Sequence, residues 1–379
     1  MTHETVLANA RVVLADEVIE GSVLVRDGLI ADIDTGPSRL GEDMEGDFLI
    51  PGLVELHTDH LEGHFAPRPS VRWNPIAAVL AHDAQLATAG VTTVFDTLRA
   101  GLDDDAPISL PDMLRLGEAI EDSVRHDRLR AEHFIHLRCE VSVPSCLADF
   151  AAFEVLQRVR MASLMDHAPG QRQFTRLETY ALYYKEKTKL DDVEFLAYCE
   201  RRIAQSTLNS PSNRAAIASA CQERGIVLAS HDDATLAHVE EALSQGIRVA
   251  EFPTTLEAAR ASHESGLGVL MGAPNVMRGG SHAGNVSARD LAEHGLLDIL
   301  SSDYIPFSLI QSAFFLGEVV DAVTLPDAIR MVTATPARAA GLDDRGSIAP
   351  GLRADLVRVR LDEHVPVVRS VWRQGKRVA

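Results

Sequence analysis

Residues 225–271 read GIVLASHDDATLAHVEEALSQGIRVAEFPTTLEAARASHESGLGVLM, and this stretch decides the fold. A short apolar run at Ile226–Ser230 gives way to a helical pattern over about Thr235–Gln245, which Gly246 stops. A second run, Ile247–Phe252, leads to another helical pattern closed by Gly266, and a third run follows at Leu267–Met271. Apolar runs too short to be helices, alternating with helices, predict parallel strands joined by helical crossovers. The same rhythm extends outward, with strands expected at Leu53–His57, Thr92–Asp96, His133–Val141, Ala162–Asp166 and Leu297–Ser301. Eight βα units predict an α/β fold of the closed (β/α)8 type, a TIM-type barrel over residues 51–342.

The chain ends differ from this middle. SVLVRDGLIADID places Asp27-Gly28 between two alternating runs, a hairpin signal. GSIAPGLRADLVRVRL and VPVVRSVWRQGKRVA alternate in the same way near the C-terminus. Residues 1–50 and 343–379 are therefore expected to be strand-rich.

Bulk properties narrow the function classes. The 379 residues are 46% hydrophobic and 24% charged, as in soluble globular proteins. No apolar stretch approaches the roughly 20 residues that a membrane span needs. The N-terminus lacks a basic start followed by an apolar core, so it does not read as a secretory signal. Cys139, Cys146, Cys199 and Cys221 show no C-x-x-C pairing and read as reduced core thiols, which points to the cytoplasm. A formal charge of −19 argues against a nucleic-acid surface, and an anionic ligand would need its own local cluster of Arg and Lys. The oligomeric state stays open, a homo-oligomer included.

In such barrels chemistry sits at the C-terminal ends of the strands. The first strand ends in LIPGLVELHTDHLEGHF, where His57, Asp59, His60, Glu62 and His64 crowd together. Residues two apart on a strand point the same way, so His57 and Asp59 can reach one ion, whereas His60 is out of phase. The third strand ends with Glu140, the fourth with Asp166 and His167, the fifth with His231 and the eighth with Asp303. A lone His or Asp after a strand is usually a cap or loop residue. Five strands each ending in a candidate ligand favour a metal site instead. The mixed imidazole and carboxylate set suits Zn²⁺, with Mn²⁺, Fe²⁺ or Co²⁺ as alternatives. Glu251 ends the sixth strand, but EFPTT reads equally as a helix cap.

Cationic and glycine-rich segments surround these ends. In APNVMRGGSHAGNVSA, Gly279-Gly280-Ser281 would free backbone N–H groups beside Arg278, His282 and Asn285, an arrangement able to cradle phosphate. In FAPRP, Arg68 stands between Pro67 and Pro69 and could clamp an anion. RQFTRLETYALYYKEKTKL, with Arg172, Arg176, Lys185, Lys187 and three tyrosines, reads as a helix on a barrel loop, either a substrate lid or a plain solvated helix. GLDDDAP reads as a solvated loop.

With LIPGLVELHTD opening the barrel, Asp303 near its end and the tail GSIAPGLRADLVRV, the sequence resembles the amidohydrolase superfamily across essentially the whole chain. The resemblance implies that both termini build a small β-sandwich beside the barrel. Seven segments in order, PGLVELHTDHLEGHFAPRP, HDAQLATAGVTTVFD, HLRCEV, SLMDHAPGQRQF, EFPTT, GAPNVMRGGSHAGNVSA and LSSDYIP, are similar to a narrower family, the α-D-ribose 1-methylphosphonate 5-triphosphate diphosphatases of the carbon–phosphorus lyase pathway. That family implies hydrolysis of a phosphorylated sugar, a ribosyl 5-triphosphate, to the 5-phosphate and pyrophosphate during phosphonate use. His60 stands where its members usually carry Asn.

On this reading two divalent ions would be held, one by His57, Asp59 and Asp303, the other by His167 and His231, with Glu140 as the bridge. Asp303 would be the general base. Arg68, Lys185, Arg278, Gly279, Gly280, Ser281, His282 and Asn285 would meet the triphosphate. The rival readings are hydrolysis of a cyclic amide or other C–N bond, deamination included, with the same metal site, and a non-catalytic scaffold.

Overall fold

Asp27 and Gly28 both take positive φ, 50° and 83°, and turn strand β2 (Val18–Arg26) into β3 (Leu29–Thr35). This is the mirror-image turn whose twist matches the flanking strands. The computed structural model describes residues 4–102, 108–174, 180–181, 184–185, 189–280 and 285–379. Strand β1 (Glu4–Val13) pairs with β2, with β4 (Glu42–Asp43) and with β5 (Phe48–Pro51). The C-terminal strands β14 (Leu356–Asp362), β15 (Val365–Arg373) and β16 (Lys376–Arg377) join the same sheet through β5. Both chain ends thus build one sheet, over a small core that includes Leu7, Val23, Leu49, Leu356 and Trp372.

The second sheet is an eight-stranded parallel barrel in strict chain order. Its strands are β6 (Leu53–Thr58), β7 (Val91–Ala100), β8 (Glu132–Glu140), β9 (Val159–Met165), β10 (Val227–His231), β11 (Val249–Glu251), β12 (Gly268–Gly272) and β13 (Ile299–Ser301). All eight fall where the apolar runs predicted them, although β7 continues four residues beyond the expected Asp96. Each strand contributes to a single apolar cluster, with Val54, Leu56, Phe95, Phe134, Met161, Ala229, Val249, Leu270 and Ile299 all buried. Burying side chains of this size stabilises by about 1.5–3 kcal/mol each, so the interior is a packed core and not a pore.

The barrel closes between its first and last strands. Thr58 bridges Asp303, the N–H of Asp303 donates to the His57 carbonyl at 3.2 Å, and the N–H of Asp59 donates to the Asp303 carbonyl at 2.9 Å. Below this point a side chain completes the seam. Glu55 accepts from the His57 N–H at 2.7 Å with one oxygen and from the Ser302 N–H at 2.6 Å with the other. Burial raises its pKa to about 7.

Helix caps fix the loops that carry the polar strand ends. Thr235 accepts from the His238 N–H and starts the helix Leu236–Ser244, and Thr255 does the same for Leu256–Glu264 through Ala258. The longest helix, Asp192–Arg224, opens on a capping box between Asp191 and Glu194 and stops at Gly225, which takes φ 64°. Most of the segment read as either a lid or a plain solvated helix, including Arg176, Tyr183 and Lys187, lies outside the described residues. Among the described residues no helix is long and apolar enough to cross a membrane, and all four cysteines are buried free thiols.

Candidate metal centre

The ends of β6, β8, β9, β10, β11 and β13 converge on one polar cluster. His57 leaves β6 fully buried, with Nδ1 at 3.0 Å from Glu251 Oε1 on β11. Its other nitrogen, Nε2, faces Asp59 Oδ1 at 3.9 Å. Two atoms on one ion with bonds of about 2 Å can be no more than roughly 4 Å apart, so this pair fits a shared cation. Asp59 is held in place by Arg138, which bonds one oxygen, and by the Thr97 hydroxyl, which donates to the other at 2.7 Å. Burial opposes its charge, but Arg138 and His57 hold its pKa well below the usual carboxylate range. Asp303 lies beside them in the left-handed region, at φ 55°. Burial and the neighbouring Asp59 charge raise its pKa.

A second group forms at the ends of β9 and β10. His167 Nε2 and His231 Nε2 each lie 3.5 Å from Asp232 Oδ2. The rings of His167 and His231 are 5.5 Å apart, and those of His231 and His57 are 5.7 Å apart, so the two groups are contiguous. Glu251 stands between them, with Oε2 at 3.2 Å from His231 Nδ1. Burial works against its ionisation, yet the facing histidines keep its pKa well below normal.

The expected bridge, Glu140, faces His167. Glu140 is turned onto His167, with Oε2 at 2.6 Å from Nδ1 and Oε1 accepting from the Ser142 hydroxyl at 2.6 Å and the His167 N–H at 3.0 Å. It supports one imidazole from behind, as second-layer carboxylates do for metal-binding histidines. Burial penalises both charges, but the pair holds Glu140 down at about 2 and lifts His167 to about 10, with Asp232 adding to the latter. The carboxylate between the two groups is Glu251.

Four contributors escaped sequence reasoning. His136, inside β8, groups with His57 and Glu251, but mid-strand it reads as core. Its Nδ1 meets the Leu56 carbonyl at 2.8 Å, which leaves Nε2 a lone pair, and burial lowers its pKa to about 4. The Ser163 hydroxyl contacts both that Nε2 and Glu251 Oε2, the latter at 2.7 Å, yet has one proton to give. Asp232 groups with His167 and His231 because φ 57° re-aims it, and no alternation pattern signals that. Arg138 precedes Glu140 by two residues, so strand alternation would have found it.

The substrate-side expectations divide. Gly279 and Gly280 do not offer free amides. Their N–H groups donate to the Val276 and Asn275 carbonyls at 3.2 Å and close the helix Ala273–Arg278, with Gly279 at φ 77°. A glycine pair after a short helix serves as its C-cap here. Ser281 and His282 lie outside the described residues, while Asn285 is half-buried just beyond them. Arg68 and Arg278 are exposed, with no side-chain partner found among the described residues. Lys185 is exposed and pairs with Asp192. Glu62 pairs with Arg99. Asp166 accepts from Ser206 and Ser210, both at 2.7 Å, and so anchors the long helix.

The chain is similar to several known proteins. The amidohydrolase family model matches residues 156–379. An Escherichia coli (strain K12) protein, alpha-D-ribose 1-methylphosphonate 5-triphosphate diphosphatase, is 47% identical over 377 residues, covering 98% of this chain and 100% of its own. The chain belongs to the amidohydrolase family. Another relative, adenine deaminase of Desulfatibacillum aliphaticivorans, is 25% identical over 97% of this chain and 57% of its own length. The fold recurs in N-acetyl-D-glucosamine-6-phosphate deacetylase from Mycobacterium smegmatis, with TM-score 0.65, 18% identity and 99% of each chain covered. It recurs also in 5-methylcytosine deaminase from Klebsiella pneumoniae, with TM-score 0.66, 15% identity and coverage of 99% and 98%.

Proposed function

We propose that this amidohydrolase cleaves α-D-ribose 1-methylphosphonate 5-triphosphate to the 5-phosphate and pyrophosphate, in the cytoplasm, during phosphonate use. The observation that carries the reading is full-length identity of 47% to the E. coli diphosphatase. The strand-end cluster supports a metal-dependent hydrolysis. Buried Glu251 and Asp232 and half-buried Asp59 and Asp303 concentrate negative charge with four imidazoles, and that donor set suits one or two divalent cations, Zn²⁺ foremost. The single Ser163 proton, contested by His136 and Glu251, is a shortage that a cation would relieve. His57, Asp59 and Asp303 would hold one ion. His167, His231 and Asp232 would hold the other, with Glu251 between.

Bound there, such cations would supply Lewis acidity to the triphosphate oxygens and to the attacking water. The chain's own groups do the rest. Asp303, whose carboxylate is made more basic by burial and by Asp59, accepts the proton of the water. Arg138 keeps Asp59 aimed at His57. Glu140 keeps the His167 ring oriented by accepting a hydrogen bond from its Nδ1–H. Exposed Arg68 and Arg278 would gather the triphosphate against the repulsive overall charge of −19, and Lys185, Ser281, His282 and Asn285 are further candidate contacts. Phosphorus NMR on zinc- and manganese-loaded protein with this substrate tests the reading. Pyrophosphate and the ribosyl 5-phosphate are expected. Faster turnover of adenine or a cyclic amide, with no pyrophosphate, would replace it with C–N bond hydrolysis.

A further inference from the structure

We infer that Arg99 and Arg138 form a seat for two linked phosphate groups at the barrel mouth. The seat would hold the part of the substrate that leaves as pyrophosphate, and to that extent it rests on the diphosphatase reading above. The two residues are register partners on the neighbouring parallel strands β7 and β8. Register partners on parallel strands send their side chains to one face, from backbones about 4.8 Å apart. That face is the inner one. Thr97, two residues before Arg99, donates to Asp59, and His136, two residues before Arg138, packs its ring against His57. Both strands end here, β7 at Ala100 and β8 at Glu140, so the two guanidinium groups stand at the rim, with Arg138 touching Asp59.

Each guanidinium is aimed by a carboxylate and keeps donors to spare. Arg99 meets Glu62 bidentately, through Nε at 2.7 Å and through Nη2. Arg138 gives Nη1 to Asp59, and its Nε only grazes Met165 Sδ at 3.4 Å. A guanidinium carries five N–H groups in a fixed fork, so one carboxylate does not exhaust it. Arg99 Nη1 and Arg138 Nη2 have no hydrogen-bond partner among the described residues. Glu62 bears on the charge of Arg138 as well, so the two cations share one small polar region. Both side chains are partly exposed, which lets an anion reach them from solvent. Two cations at directly paired strand positions repel each other. A linked diphosphate lying across both would turn that repulsion into attraction, with oriented, charge-assisted hydrogen bonds to each phosphate. Arg68 and Arg278, exposed and without a side-chain partner among the described residues, are not aimed in this way. They gather the anion, and Arg99 and Arg138 fix it.

Calorimetric titration of inorganic pyrophosphate into zinc-loaded, full-length protein tests the seat. Arg99→Gln should weaken binding about 10- to 100-fold. Glu62→Gln removes the partner and keeps Arg99, so it should bind at least as tightly as wild type. Wild type that does not bind pyrophosphate, or Arg99→Gln that binds it like wild type, would overturn the seat. So would a Glu62→Gln variant weakened as much as Arg99→Gln, because the pair would then be a strut between strand and helix. Should Arg99→Gln misfold around the unpaired Glu62, the double variant Arg99→Gln/Glu62→Gln leaves no bare carboxylate and must show the same loss. Turnover separates this inference from the reading it rests on. Binding that depends on Arg99 in a protein that leaves the ribosyl triphosphate uncut would remove the diphosphatase reading and keep the seat. Cleavage of that substrate, with pyrophosphate affinity unchanged in Arg99→Gln, would do the reverse.

Discussion

His57 and Glu251, 194 positions apart in the chain, meet at 3.0 Å inside the barrel. The same carboxylate reaches His231 and accepts the Ser163 hydroxyl. Glu251→Gln would keep the shape and remove the charge. Metal affinity and turnover should each fall about 100-fold, while far-ultraviolet circular dichroism stays unchanged. Retention of both ions would show that Glu251 is only a buried hydrogen-bond acceptor.

Asp303 offers a kinetic signature. A base acts only when deprotonated, and burial together with Asp59 raises its pKa. Turnover should therefore fall on the acid side at a pH above the ordinary carboxylate range. Asp303→Asn should lower kcat by about 10²- to 10⁴-fold and abolish that acid limb. A variant with a full rate would remove Asp303 from proton transfer.

Asp232 separates the two metal positions. Asp232→Ala removes the carboxylate shared by His167 and His231 and leaves His57 and Asp59 untouched. The variant should lose one equivalent of metal per chain and keep the other. Loss of neither, or of both, would contradict the proposed division of ligands.

Glu132 tests the seat of the barrel on the terminal sheet. Its carboxylate accepts from Arg345 and Arg353 at 2.7 and 2.6 Å. Burial disfavours its charge, but these two guanidinium groups outweigh that and bring its pKa to about 2. A folded pKa below the unfolded value of about 4.5 stabilises the fold above that pH, and the gain disappears as pH falls toward 2. Glu132→Gln should cost about 2–3 kcal/mol at pH 7, read from urea melts, and the gap should narrow steadily below pH 4.5. A gap that is constant with pH would mean that packing, not charge, is responsible.

The barrel was legible because each βα unit repeats one contrast, a short apolar run against a helical period, and the βα caps Thr235 and Thr255 sit where the helical patterns start. The strand-end histidines were legible by position alone, since chemistry gathers there. What stayed hidden depended on local backbone shape. Asp232 follows His231 directly, and only its left-handed turn swings it into the site. Glu251 looked like a cap because β11 is three residues long and runs straight into the next helix. Gly279-Gly280 suggested a phosphate cradle, yet two glycines after a six-residue helix bind that helix's own carbonyls. Pairings such as Glu140 with His167 need strand register, which no local pattern carries.

The Glu55 carboxylate joins amides that lie 247 positions apart in one case and two in the other. The first barrel strand is synthesised early and must wait, unpartnered on one edge, until Ser302 and Asp303 have left the ribosome. His57, Asp59 and Asp303 ride on that same seam. Closure of the barrel and assembly of the candidate centre therefore depend on the same contacts between its first and last strands.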